Sequence, residues 1–148
     1  MRVLIGADHG GFGLKEQVKA HLMGRGHDVV DLGAYSADPV DYPDVATKVA
    51  HAVAAGEAER GILFCGTGIG MAIAANKVPG IRAANIFDPE VARLAREHND
   101  ANVLTLGGRF TPAETAKQIA DVFLATEFTH DDRHVRRIGR IHEIEGAR

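Results

Sequence analysis

The sequence predicts an α/β protein: a three-layer, doubly wound, mostly parallel five-stranded sheet of Rossmann-like type with an extra C-terminal helix. Three observations lead there. Short aliphatic runs alternate with longer segments of helical period. The runs are almost continuously apolar, as strands covered on both faces must be. Two of them, "RVLIGAD" and "RGILFCG", run into glycine-rich turns, the first after His9 and the second at once, the pattern of strands that open onto the rim of such a sheet.

The first strand is "RVLIGAD". The segment "GLKEQVKAHLMGRG" then sets Leu14, Val18, His21 and Leu22 on one stripe and stops at Gly24 or Gly26. "HDVVDLG" is the second strand. After the turn-like "SADPVDYPD", a helix groups Val45, Val49, Ala52 and Val53, and Gly56 suits its end. "RGILFCG" is the third strand, "GIGMAIAANK" a short apolar helix and "IRAANIF" the fourth strand. Asp88 can cap the next helix and Pro89 fits its first turn, where a missing N–H costs nothing. That helix runs through Val91, Leu94 and Ala95 towards His98. "NVLTLGG" is the fifth strand, and Thr111 to Glu114 has capping-box spacing, with Pro112 as the first helical residue. A last helix, residues 131–145, follows with no strand after it; carrying Arg133, Arg136, Arg137 and Arg140, it is expected to pack on a partner subunit.

A chain of 148 residues with 45% hydrophobic content makes one domain, 1–148, with a sizeable core. Its net charge of -3 offers no general attraction for nucleic acid or an anionic membrane, so any anion site is local. The single Cys excludes an intrachain disulfide framework and fits a reducing compartment. The opening residues do not read as a signal peptide, and no run reaches membrane-spanning length, so a cytoplasmic protein is expected.

Chemistry centres on "CGTGIG". A lone Cys at the end of a hydrophobic strand is more often a small packed residue than a nucleophile or base, and glycines serve tight turns. Here, however, Cys65 is followed by Gly66, Thr67, Gly68 and Gly70, a concavity whose N–H groups can face an anion beside the next helix. Such donors stabilise a thiolate, or charge developing on substrate oxygens. The Gly-Lys-Ser/Thr ending of a P-loop is absent, since Met71 follows Gly70. Asp8 and His9 end the first strand, where they can meet the end of the third; a plain surface role for His9 is the alternative. His98 and Asn99 are expected at the same rim, although a His there also suits a helix C-terminus. Neither has companion ligands at metal-binding spacing. Arg133, Arg137 and Arg140 share a helical face, either solvated or bound to a phosphate dianion, and Arg109 can add a further cation.

Taken together, "GADHGGFGLK", "DYP" at Asp41 to Pro43, "GILFCGTGIGMAIAANK", "GIRA" at Gly80, "REHNDANVL" and the terminal Arg133-His134 with Arg137 resemble the ribose-5-phosphate isomerase B family over nearly the whole chain. That family is related to the galactose-6-phosphate isomerase subunits. The resemblance implies interconversion of ribose 5-phosphate and ribulose 5-phosphate in the pentose phosphate pathway, without metal or organic cofactor. It also implies a homodimer or dimer of dimers with composite active sites. By the same resemblance Cys65 is the catalytic base, Thr67 its neighbouring hydroxyl, and Gly66, Gly68, Ile69 and Gly70 the loop that holds the enediolate. Asp8, His9 and Tyr42 match substrate-binding positions, His98 the ring-opening residue and Asn99 a contact at the reacting end. Arg133 and Arg137, with His134 between them and Arg109 nearby, match the phosphate site. One branch of the family replaces the Cys by a Glu at the position of Met71; the Cys type of chemistry is therefore the one implied here. Related enzymes act on allose, galactose or tetrose phosphates, and a non-catalytic phosphosugar-binding protein would use the same arginines.

Overall fold

The structure, a computed structural model, describes residues 1–146. Five strands, β1 (Arg2–Ala7), β2 (Asp28–Asp31), β3 (Arg60–Cys65), β4 (Ala83–Asn85) and β5 (Val103–Gly107), form one sheet in the order β2-β1-β3-β5-β4. All four strand pairings are parallel, so the sheet is wholly rather than mostly parallel. The helices are α1 (Phe12–Gly24), α2 (Tyr42–Ala54), α3 (Ile69–Ala75), α4 (Pro89–Asn99), α5 (Ala113–Ala125) and α6 (Asp132–Gly146).

Alternation along the central strands divides the core. Val3, Ile5, Ile62, Phe64, Leu104 and Leu106 face one way, into a cluster completed by residues of α1, α4 and α5. Leu4, Leu63, Cys65 and Val103 face the other, into a cluster with α2 and α3. The interior strand β5 is buried throughout, whereas β2 and β4 are largely half-buried, as edge strands are. The expected stripes hold for α1 and α2: Leu14, Val18 and Leu22 are buried, as are Val45, Val49 and Val53.

Several boundaries differ from the sequence reading. Tyr42, expected in a turn, opens α2, with Pro43 supplying the fixed φ of its first turn. The α4 cap forms as expected, the Asp88 carboxylate accepting from Glu90 N, but the helix buries Ala92, Ala95 and Arg96 while Val91 stays exposed. The capping box at Thr111 does not form. Pro112 itself caps α5, which starts at Ala113, and the buried Thr111 hydroxyl makes no bond.

Helix α6 lies against its own chain, burying His134 and Ile138. Glu145 accepts from Gly80 N at 3.0 Å and tethers its far end. Among the described residues no helix is long and apolar enough to cross a membrane.

Candidate active site

The order β2-β1-β3 makes the gap between the C-terminal ends of β1 and β3 a topological switch point: the connection after β1 leads to one side of the sheet and that after β3 to the other. A crevice opens at such a point. Here it is a pocket of about 400 Å³, lined from β1 by Asp8, His9 and Gly10 and from β3 by Cys65, Gly66, Thr67, Ile69 and Gly70. Tyr42, Ile73 and Arg109 complete the wall.

Cys65 is the last residue of β3, 5% exposed, and its sulfur accepts from Gly68 N at 3.1 Å. The turn that aims this N–H back at the sulfur puts Gly68 at φ 82°, and a Cβ there would collide with the Asn85 side chain. Ile69 N donates to Thr67 Oγ1 at 3.1 Å. Two loop amides are thus already engaged, one with the thiol and one with the hydroxyl beside it. On the opposite wall Asp8, also buried, accepts from Gly11 N at 3.0 Å, which fixes the turn leading into α1. Gly11 itself packs so tightly on the Phe64 carbonyl that no side chain fits, which brings the two loops together. His9 is exposed and its Nδ1 accepts from Val40 N at 3.4 Å. The Tyr42 ring lies on Gly70, where an added Cβ would come within 2.6 Å of it. Arg109 follows β5, is held by its own N–H on the Gly66 carbonyl at 3.0 Å, and lays its guanidinium along Gly66.

The remaining expected residues lie elsewhere. His98 and Asn99 occupy the last turn of α4, and a helix that returns a parallel strand's chain ends at the opposite edge of the sheet. The chain directly after α4 confirms it, for the Asn102 carbonyl accepts from Gly61 N at the start of β3. The expectation that His98 and Asn99 share the rim with Cys65 is therefore wrong within one chain. A five-residue strand, about 15 Å, separates them.

At that far edge the residues form a second group. His98 and His134 stack, with ring centroids 4.4 Å apart. Burial, then the neighbouring His98 and Arg133, holds the His134 imidazole below its usual range. Arg133 and Arg137 stand exposed on the same helix, and Asn99 lines a separate groove of about 340 Å³ with Ile141 and Ile144. Met71, on the buried face of α3, is fully buried and does not line the pocket. Among the described residues no three His, Cys, Asp or Glu side chains gather as a metal site would require. Gly10 and Ile73 escaped the sequence reading; a helical period counted from Ile69 points to Ile73 one turn on.

Fold and pocket together define a doubly wound α/β enzyme with a cysteine thiol in the pocket at its switch point. The chain belongs to the ribose/galactose isomerase family, whose model matches residues 3–141. Ribose-5-phosphate isomerase B of Escherichia coli strain K12 is 47% identical to it over 147 residues, covering 99% of this chain and 98% of that protein. The solved structure of Clostridium thermocellum ribose-5-phosphate isomerase B superposes with a TM-score of 0.97 at 50% identity and covers 99% of both chains. Mycoplasma genitalium ribose-5-phosphate isomerase B, solved with bound ribulose 5-phosphate, gives 0.92 at 42% identity over 98% of this chain and 96% of that one.

Proposed function

We propose that this chain interconverts D-ribose 5-phosphate and D-ribulose 5-phosphate, an aldose–ketose isomerisation through an enediolate with Cys65 as base. The observation that carries the reading is the Cys65 sulfur itself: it ends a central strand inside the switch-point pocket and already accepts a backbone N–H. The bond fixes the sulfur at the pocket wall, and a thiolate is the form able to take a proton from carbon. Removal of the C2 proton leaves charge on the C1 and C2 oxygens, where amides of the 66–70 loop and the Thr67 hydroxyl are at hand. Return of the proton to C1 gives the ketose. Asp8, His9 and Tyr42 hold the sugar hydroxyls, and Arg109 adds positive charge to the wall. Similarity to the relatives that bear this activity, one with the ketose product bound, supports the substrate.

A cyclic aldose has no free carbonyl, so an acid–base group must first open the ring, and His98 is assigned that step. With His98 and Asn99 a strand's length from Cys65, a second copy of the chain supplies them. The working unit is a homodimer or dimer of dimers, with α6 reaching the partner and Arg133, His134 and Arg137 completing the phosphate site. Apolar surface flanks both half-sites: Ile69 and Ile73 are 51% and 58% exposed beside the thiol, and Ile144 is 62% exposed beside Asn99. A two-fold axis would cover each patch with the other. The reading carries with it a cytoplasmic place of action in the pentose phosphate pathway.

The test is a panel of aldose and ketose phosphates assayed with the pure protein. Ribose 5-phosphate and ribulose 5-phosphate are expected to show the highest kcat/KM. Absence of turnover on every member would overturn the reading, and a six-carbon or four-carbon phosphosugar ahead of ribose 5-phosphate would move the substrate.

A further inference from the structure

Lys15 on α1 is fully buried and does not line the pocket, yet its charge is completely engaged. A buried ammonium is costly unless its three donors are met. Its Nζ donates to Asp31 Oδ1 at 2.9 Å, to Asp31 Oδ2 at 2.8 Å and to the Ala34 carbonyl. The Phe12 and Tyr35 rings cover it, with centroids 5.1 and 5.7 Å away. Asp31 ends β2 and also accepts from Gly33 N and Lys19 Nζ, while its carbonyl accepts from the Tyr35 hydroxyl. One nitrogen thus joins α1, β2 and the start of the connection to α2.

That connection, residues 32–41, contains no helix or strand; its start is bonded to Ala7, next to the pocket residues Asp8 and His9, and its end to His9 itself. At its start Gly33 and Ala34 pair with Ala7, through Ala7 N to the Gly33 carbonyl and Ala34 N to the Ala7 carbonyl, both 2.7 Å, directly before Asp8 and His9. At its end Val40 N donates to His9 Nδ1, and Tyr42 follows. A segment with few backbone bonds of its own takes its position from its anchors. Stability alone does not call for an ammonium here, because an apolar isostere can replace a buried ion pair without loss. Holding three chain segments at one point does call for it.

We infer that Lys15 is a positioning residue of the pocket, fixing the 32–41 segment so that His9 and Tyr42 stand at the sugar; this rests on the reading of the pocket as a phosphosugar site. The test variant is Lys15→Met/Asp31→Asn, which removes both charges and leaves no unpaired ion in the core. The folded variant should exchange its amide hydrogens over 32–41 at least about tenfold faster, with β1, β3 and β5 at parental rates. Its KM for ribulose 5-phosphate should rise about tenfold with kcat within about threefold, because binding contacts loosen while the thiol loop is untouched. Parental exchange and KM, exchange raised equally across the sheet, or a fall in kcat at unchanged KM would each overturn the inference. If the double variant does not fold, Tyr35→Ala decides: at this exposed position the same pattern is expected at about twofold to threefold, and parental behaviour there overturns the inference. The exchange measurement needs no substrate, so a parent protein without isomerase activity would sink the proposed function and leave the positioning role decided on its own.

Discussion

His98 and His134 lie ring over ring, 4.4 Å between centroids and 19° from parallel, at the edge of the sheet opposite Cys65. Two imidazoles in such contact cannot both hold protons comfortably. Burial first, and then the His98 and Arg133 charges, lower the His134 pKa from its ordinary 6.5. The unfolded chain therefore binds a proton at mildly acid pH that the folded chain refuses. Stability attached to neutral His134 is fully present above pH 6.5 and is lost as pH falls through the lower folded value. Thermal midpoints of the parent and of His134→Asn should accordingly converge, or cross, on going from neutral to acid pH; a difference that is constant with pH would show that the pair is not proton-linked.

Asp31 gives the same sign for a different reason. Burial opposes its ionisation, but hydrogen bonds from Lys15, Gly33 N and Lys19 outweigh that and hold its carboxyl below the ordinary 3.8. Its contribution is present above pH 3.8 and lost as pH falls through the folded value. Asp31→Asn should melt well below the parent at neutral pH, with the gap narrowing only under strongly acid conditions. Melting curves recorded at a series of pH values check this.

Cys65→Ser keeps nearly the same volume but exchanges a thiol for a hydroxyl that cannot act as base at neutral pH. Its kcat should fall by at least about 10²-fold. Calorimetric affinity for a non-isomerisable phosphosugar should change little, because the sulfur does not hold the phosphate. Near-parental turnover would reduce Cys65 to a packed strand residue.

Arg137→Ala should weaken both that affinity and kcat/KM. The expected loss is about 10- to 100-fold, from roughly 1.5–3 kcal/mol for a hydrogen bond to a charged group. Inorganic phosphate should inhibit the parent and act much less on this variant. Equal inhibition of both proteins would remove Arg137 from the phosphate site.

The separation of the two half-sites can be tested by mixing. Cys65→Ser and His98→Asn should each be impaired alone on the cyclic aldose. After co-refolding, mixed dimers would carry one site with both lesions and one with neither, so activity should reappear. Light scattering should give twice the 15.8 kDa chain mass or a multiple of that. No recovery in a mixture shown to contain mixed dimers would place both residues in one chain's site.

Much of the fold was legible in local sequence because its determinants are local. Aliphatic runs broken by glycine, Asp88-Pro89 ahead of α4, and the 3.6-residue stripes of α1 and α2 depend on neighbours a few positions away, and these elements formed where expected. The Cys65 loop was legible too, since a strand that gives way at once to Gly66, Thr67 and Gly68 announces its rim. The Thr111 box misled because its spacing was met by Pro112, whose fixed φ took the cap position instead.

Tertiary structure alone decided the rest. Nothing local says that β5 inserts between β3 and β4, because that choice is made by long-range pairing: the fully buried Val103–Gly107 takes an interior place beside the central β3 and the short, half-buried Ala83–Asn85 is left at the edge. Nor does proximity in sequence to β5 put His98 beside Cys65. The chain direction of α4 carries it to the opposite edge, and what meets it there is His134, thirty-six positions along the chain. Residue types and their spacing determined which chemistry this protein can perform; the three-dimensional path of the chain determined which of those residues one molecule can bring together, because a pocket is assembled from strand ends that are distant in sequence.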